Sequence, residues 1–233
     1  MIDRYAIYSD FQDINQRYGL AGDEFTVPNY NASPAQQLPV VSNHEKKEIS
    51  FFYWGIGKEW SNNKSISSKL LSSSTDQIKK KNPLKRALIK RRCIVPVNGF
   101  YLWKQYGKKR KTPHYFYRKG TELFSLAGIW EEFDDINGEG TLTFKFVERE
   151  NYSGVEEFGD AMPAIISPEN ESAWLDEYTS VEELFSILEN TESISGLANH
   201  PVSPHISDRN NNYKQLINPQ AQVDQLGNYT LFD

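Results

Sequence analysis

Arg91-Arg92-Cys93-Ile94-Val95-Pro96-Val97-Asn98-Gly99-Phe100-Tyr101-Leu102-Trp103-Lys104 is the stretch around which the chain is organised. Its middle, Cys93 to Val97, is apolar and β-branched, the pattern of a buried strand. Asn98-Gly99 is a tight-turn signal. Phe100-Tyr101-Leu102-Trp103 predicts a second strand. A basic run enters this unit and another leaves it. Between Gln77 and Thr121 there are 15 Lys or Arg residues and no Asp or Glu. The net charge of −5 conceals this, because the remaining chain holds 11 basic and 31 acidic residues, a balance of −20. Such a block gives one face a positive potential able to follow a phosphate backbone. A merely solvated basic helix and hairpin would have the same composition.

A chain of 233 residues can bury a proper core. No apolar run approaches the roughly 18 residues a membrane span needs. Met1-Ile2-Asp3-Arg4-Tyr5 lacks the charged-then-apolar pattern of a secretory leader. The expectation is a cytoplasmic protein with no membrane partner, in which matches such as Asn63-Lys64-Ser65 carry no glycan. The single Cys93 excludes an internal disulfide and a thiolate metal cluster.

Residues 1–8 predict a strand with Ile2, Tyr5 and Ile7 apolar. Residues 11–20 predict a short amphipathic helix with Phe11, Ile14, Tyr18 and Leu20 inward. Residues 30–34 are a polar, Pro-containing loop. Strands follow at 38–42 and 49–56, then a polar loop at 57–68 that holds Trp60, either a core lid or a stacking surface for bases. Residues 76–90 predict one helix, with Leu84, Ala87 and Leu88 on its apolar face. Beyond the central unit, Lys108-Lys109-Arg110-Lys111 makes a basic turn, and strands follow at 115–117 and 123–133. Asn137-Gly138 predicts a turn into a hairpin partner at 141–147. Residues 162–166 form a short apolar strand. Two helices follow at 168–175 and 181–188, the second with Ser180 as N-cap and Glu183 at capping-box spacing. The tail from Asn199 reads as polar. With no repeat and no linker, one mixed α+β domain over residues 1–233 is expected, mainly antiparallel.

General catalytic motifs are absent: no GxSxG, P-loop, HExxH or GxGxxG occurs. His44, His114, His200 and His205 lack ligand spacing, so no metal and no cofactor is expected. Cys93, among β-branched residues, reads as a buried inert thiol. His200, beside Pro201, reads as a structural hydrogen-bonder. Asp160 reads as a turn former rather than a site carboxylate. From the residues alone the chain is an α+β protein with a basic face and exposed aromatics.

Several segments, in order, resemble the SRAP family of abasic-site processing proteins. Tyr30-Asn31-Ala32-Ser33-Pro34 is similar to that family's Tyr-Asn-x-x-Pro loop, and Leu38-Pro39-Val40-Val41 to the strand after it. Trp54-Gly55 with Trp60 resembles its Trp-Gly loop. Arg92-Cys93 through Trp103 resembles its Arg-Cys-x-x-Pro-x-x-Gly-Phe-x-Glu-Trp signature. Phe124 to Trp130, Asp160-x-Met162-Pro163 and His200-Pro201-Val202-Ser203 complete the series, which runs to about residue 218. The resemblance implies a barrel-like antiparallel fold with flanking helices. It also implies binding of single-stranded DNA that carries an abasic site. In the family the initiator Met is removed, and the amine and thiol of a Cys at position 2 capture the sugar aldehyde as a thiazolidine. An Asn in an Asn-Ala-Arg-x-Glu-Thr segment, the signature Glu and a His before Asp-Arg-Met-Pro support that step.

The sequence departs at each of those positions. Ile2 stands at the nucleophile, and so bulky a second residue disfavours removal of Met1. Ser72 stands for the Asn, with Ser74 for the Arg and Asp76 for the Glu. Leu102 stands for the signature Glu, and Gly159 for the His. The resemblance therefore implies a pseudoenzyme that keeps DNA-binding features. Arg4 matches a phosphate-contacting Arg, and Pro34 and Trp60 match groups lining a DNA wedge. Lys85 and Arg86 belong to the basic 79–92 run, and Arg149 replaces a small hydroxyl residue. Each also has an ordinary reading, the arginines pairing with the excess of acids and Trp60 packing on Trp54. Two alternatives stand beside the DNA binder. One is a protein-interaction module with a protein partner. The other traps the abasic aldehyde as a Schiff base on the Met1 amine or Lys104.

Overall fold

The two halves of the central stretch lie in different sheets. In the computed structural model, which describes the chain except residues 1, 22–27, 45–47, 57–67, 107–109, 121–122, 135–137, 139, 151–155, 160, 191–195, 224–225 and 227–233, the order begins with β1 (Arg4–Ile7), α1 (Phe11–Tyr18), β2 (Asn29–Ala32), β3 (Gln37–Ser42) and β4 (Ser50–Trp54). Then come α2 (Ser68–Leu71), β5 (Ser72–Ser74), α3 (Thr75–Lys80) and α4 (Asn82–Lys90). The long strands follow: β6 (Arg92–Val97), β7 (Gly99–Tyr106), β8 (Arg110–Arg118), β9 (Phe124–Asp134) and β10 (Gly140–Glu150). The chain continues through β11 (Ala161–Pro163), β12 (Ile165–Ile166), α5 (Glu171–Leu175), α6 (Val181–Glu189) and β13 (Leu197–Pro201).

One sheet has the order β13-β8-β7-β1-β2, and the other β11-β10-β4-β3-β6-β9-β12 with β5 added on β10. Because β10 pairs with both β4 and β9, the run β10-β4-β3-β6-β9 closes on itself, giving the expected barrel-like form. Described pairings are antiparallel except β10 with β4 and with β5. One core lies between the sheets and takes Ile2, Tyr5, Phe100, Leu102, Val95, Trp54 and Phe146. A second lies outside the larger sheet, where Ile94, Ala127, Ile129 and Val147 meet Ile78, Ala87 and Leu88 of α3 and α4, Trp174 of α5 and Leu184 of α6. Alternation along β6 explains the split: Cys93 and Val95 face one core, Ile94 the other.

Asn98 makes the corner between sheets. Its Oδ1 accepts the backbone N–H groups of Tyr8 (2.6 Å) and Ser9 (3.0 Å), and its Nδ2 donates to Ser9 Oγ at 2.7 Å. Gly99 is required beside it, because a Cβ there would lie 2.4 Å from the Tyr115 ring and 2.5 Å from the Phe116 carbonyl oxygen. Arg92, fully buried, begins β6. Its guanidinium donates to the carbonyls of Leu88 (2.8 Å) and Ile89 at the end of α4, and of Trp174 and Asp176 (both 2.5 Å) at the end of α5. Those carbonyls have no partner within their own helices.

The structure departs from sequence expectation in several places, among them the basic turn expected at 108–111, whose Arg110 and Lys111 instead begin β8 against β7. Residues 30–34 are not simply loop: β2 covers part of them, and Asn31, Ala32, Ser33 and Pro34 are buried. The helix at 76–90 is two, broken at Lys81, because Pro83 lacks an N–H and fits only a first turn. Residues 162–166 are two strands, paired with β10 and β9 respectively. His200 is in a strand, since β8 offers an edge that β13 completes. The hairpin of β9 and β10 and the Ser180 cap, which accepts from the Glu183 N–H at 3.2 Å, are as expected. Trp60, Lys108, Lys109 and Asn137 lie outside the described residues.

Replacing Arg92 by Met keeps the apolar stem and strands the carbonyls of Leu88, Ile89 and Trp174, while that of Asp176 still accepts from the Thr179 N–H at 3.2 Å. The expected cost is about 3 kcal/mol or more, read as a lowered urea midpoint with unchanged slope. A loss below about 1 kcal/mol would mean that water reaches those carbonyls.

Candidate functional site

The N-terminal edge of β1 meets three strands. Ile2 is fully buried, and its backbone N–H donates to Glu148 Oε1 at 3.0 Å. Glu148 is buried on β10, opposite Ser74 of β5, while Ser72 lies opposite Phe146. On the other side β1 pairs with β7, Arg4 facing Tyr101 and Tyr5 facing Phe100. Asp3 Oδ1 accepts from Trp103 Nε1 at 3.2 Å. Leu102 is 1 % exposed and points into the same core as Ile2.

Directly across from Leu102 on β8 stands His114, 5 % exposed. Its Nδ1 lies 3.0 Å from Asn199 Oδ1, which sets the neutral ring with its proton on Nδ1. Its Nε2 is buried with no hydrogen-bond partner among the described residues. The ring packs edge-on against Phe158 at 5.0 Å. Phe158 closes a 3-10 turn, Glu156–Phe158, and the next residue is Gly159 at φ 116°. Burial pulls the His114 pKa down, and the Asn199 hydrogen bond opposes this. At the rim Lys104 pairs with Glu157 at 2.8 Å, and that hydrogen bond raises the Lys104 pKa. A raised pKa leaves less neutral amine, so Lys104 is poorly suited to attack an aldehyde.

Ile2, Ser72, Leu102 and Gly159 are thus linked around one end of the inter-sheet core, through Glu148, β5, His114 and Phe158. Arg4 adjoins them. Its Nη1 donates to the Asp3 carbonyl at 2.6 Å and its Nη2 lies 3.5 Å from the Ser207 carbonyl, while Nε has no described partner. Desolvation lowers the Arg4 pKa, and Arg209 adds to that. The other candidates lie elsewhere. Pro34 is buried in the turn between β2 and β3. Lys85 and Arg86 are on α4, outside the larger sheet. Arg149 alternates onto the Val147 face of β10, where its charge joins that of Lys79 in lowering the Glu189 pKa.

Sequence reasoning missed Glu148 and His114. A signal existed for both: Glu148 continues the alternation of Phe144 and Phe146, and His114 that of Phe116. A separate cavity of about 490 Å³ lies beside α1 and α5, lined in part by Arg17, Tyr18, Val41, Ile94 and Glu171. Its buried polar groups include an engaged cluster. Arg17 donates to both Glu171 oxygens (2.9 and 2.5 Å), Ser125 Oγ donates to Glu171 at 2.5 Å, and Tyr18 lies 2.9 Å from Ser125 Oγ. Among the described residues no cluster of His, Cys, Asp and Glu could hold a metal, and no helix is long and apolar enough to cross a membrane.

Residues 1–209 match the profile of a family described as SOS response associated peptidase (SRAP). The abasic site processing protein YoqW of Bacillus subtilis is 27% identical over 224 residues, covering 93% of this chain and 99% of that protein. The abasic site processing protein HMCES of Rattus norvegicus is 25% identical over 258 residues, covering 94% and 72%. Among solved structures, a Bacteroides thetaiotaomicron protein superposes with TM-score 0.78 at 22% identity, covering 93% of this chain and 99% of that one. A phage-related protein of Bordetella bronchiseptica gives 0.69 at 21%, covering 86% and 93%.

Buried neutral His114 makes the fold acid-sensitive. Its folded pKa lies below the unfolded value of about 6.5, so the unfolded chain takes up the proton first as pH falls. Stability contributed by the neutral ring is complete above about pH 6.5 and declines from there down to the depressed folded pKa. The His114→Phe variant should lose less stability between pH 7 and 5 than the parent in paired urea titrations. Parallel profiles would remove His114 from the acid response.

Proposed function

The chain belongs to the SOS response associated peptidase (SRAP) family, and from that premise we propose that it binds single-stranded DNA at abasic sites, in the response to DNA damage, without forming a covalent thiazolidine. The carrying observation is Ile2: it offers no thiol, it is fully buried, and its N–H is held by Glu148. Thiazolidine formation joins one amine and one thiol of the same residue to an aldehyde carbon and releases water. A side chain of four carbons at position 2 supplies neither the sulfur nor room for the sugar. Leu102 cannot move a proton, and Gly159 has no side chain to do so. The proposal reads the family positions Ile2, Ser72, Leu102 and Gly159 as catalytically empty, and takes the whole chain as one domain.

Binding needs less than catalysis. Arg4 brings a half-buried guanidinium to the rim of this region, and its Nη2, held among the described residues only by a 3.5 Å contact to the Ser207 carbonyl, is suited to a phosphate oxygen. The relatives named as abasic site processing proteins make DNA the natural anion. Pairing of Lys104 with Glu157 argues against reversible trapping by that amine.

The test mixes protein with a single-stranded oligonucleotide, intact or carrying one abasic site. Native gels should show a complex at low salt, where phosphate contacts are strongest. Denaturing gels should show no covalent band, with or without borohydride. A heat-stable band without borohydride would overturn the non-covalent reading, and a band only with borohydride would mean an amine traps the site. Absence of a native complex would turn the assignment to a protein partner. Arg4→Gln should weaken the native complex and lower its salt slope by about 0.7.

A further inference from the structure

The outer side of α3 and α4 carries a concentration of positive charge that the proposed site does not use. Lys80, Lys81, Arg86 and Lys90 are exposed there, and Lys85 is half-buried. Lys79 reaches Glu189 at 2.8 Å, but among the described residues none of those other five forms an ion pair. Arg86 and Lys90 stand four apart on α4, a spacing at which like charges repel, and Lys81 caps the start of the same helix. The sequence has no acid between Gln77 and Thr121, and the acids at this surface include Asp76 in the first turn of α3 and Glu189, which Lys79 engages. The surface also has a definite place. Ala87 and Leu88 pack against Ile94, Ala127 and Ile129, whereas Ile2 packs with the alternate residues Cys93 and Val95. The larger sheet therefore stands between α4 and the region of Ile2.

We propose that α3 and α4 form a second nucleic-acid site, which takes the backbone of a separate DNA duplex while the Ile2 side holds the abasic strand. The proposal rests on the preceding reading only for the choice of DNA as the anion. Lys81 to Lys90 spans about 13 Å along the helix at 1.5 Å per residue. Duplex DNA places one charge about every 1.7 Å of axis, so this length faces several phosphates without requiring a base contact. Binding should be independent of sequence and strongly salt-dependent.

The experiment uses the full chain, a labelled intact duplex and an unlabelled abasic single strand. Duplex binding should persist when the abasic strand is saturating, giving a complex of protein with both DNAs. If four cations contact phosphates, affinity for the duplex should fall on the order of a hundredfold between 50 and 200 mM salt. Joint replacement of Lys81, Lys85, Arg86 and Lys90 by Gln, a residue of similar helix propensity, should abolish that binding and leave the abasic strand bound. Arg4→Gln should weaken binding of the abasic strand and leave the duplex bound. Displacement of the duplex by the abasic strand would overturn the proposal by showing one continuous surface. Absence of duplex binding with the abasic strand bound would overturn it and spare the preceding reading. Loss of abasic-strand binding with the duplex retained would do the opposite. Capture of anionic vesicles but no duplex would mean a lipid surface instead, and would also overturn it.

Discussion

The buried guanidinium of Arg92 holds the layers of this protein together. Three nitrogens donate to four carbonyls, two ending α4 and two ending α5, from the first residue of the central strand β6. A helix end buried against a sheet normally leaves its last carbonyls without donors. Here one planar cation serves two ends at once and fixes both helices on the face of the larger sheet that carries Ile94. Burial lowers its pKa, with the Asp176 charge acting against this, yet an arginine remains charged at any ordinary pH. The arginine could have counted as one more member of a basic run. Its work is structural, and the run's solvent-facing charge ends at Arg91.

From that anchored strand the chain turns a corner at Asn98 and Gly99 into the other sheet. The corner matters for function, because it lays β7 beside β1 and so brings Leu102 to the region of Ile2. Buried polar groups need partners, and the amide of Asn98 meets that need for Tyr8 and Ser9 just after β1. The same argument leaves His114 Nε2, with Tyr5 Oη and Arg4 Nε, as buried polar atoms of this region that have no hydrogen-bond partner among the described residues. Apolar side chains fill the rest, with Phe158 and Met162 in the same core as Ile2 and Leu102. The region has the packing of a protein interior, while Arg4 and the Lys104–Glu157 pair stand at its edge.

Much of the fold was legible from period and composition. The strands 92–97 and 99–106 could be placed because β-branched and aromatic runs bracket Asn98-Gly99, and the α6 start because Ser180 precedes an apolar period of helix type. The correspondence of Ile2, Ser72, Leu102 and Gly159 with family positions is read from motif order, since a motif preserves spacing even where its residues change. Less legible were elements that exist through a neighbour. β13 reads as polar tail until β8 offers its edge, and β5 is three serines that become a strand only against β10.

The sequence by itself determined the family, the α+β class and the charge asymmetry. These depend on local period, on composition and on ordered spacing, all of which survive in one dimension. Tertiary structure alone decided which partner each polar group has. It turned Arg92 inward while Arg86 and Lys90 stay in water, joined the Ile2 amide to a carboxylate 146 residues away, and set α4 across a sheet from Ile2. The reason is that burial and hydrogen bonding are relations between distant segments. A charge in the sequence has no sign of whether a carbonyl, a carboxylate or solvent will face it until the chain has closed around it.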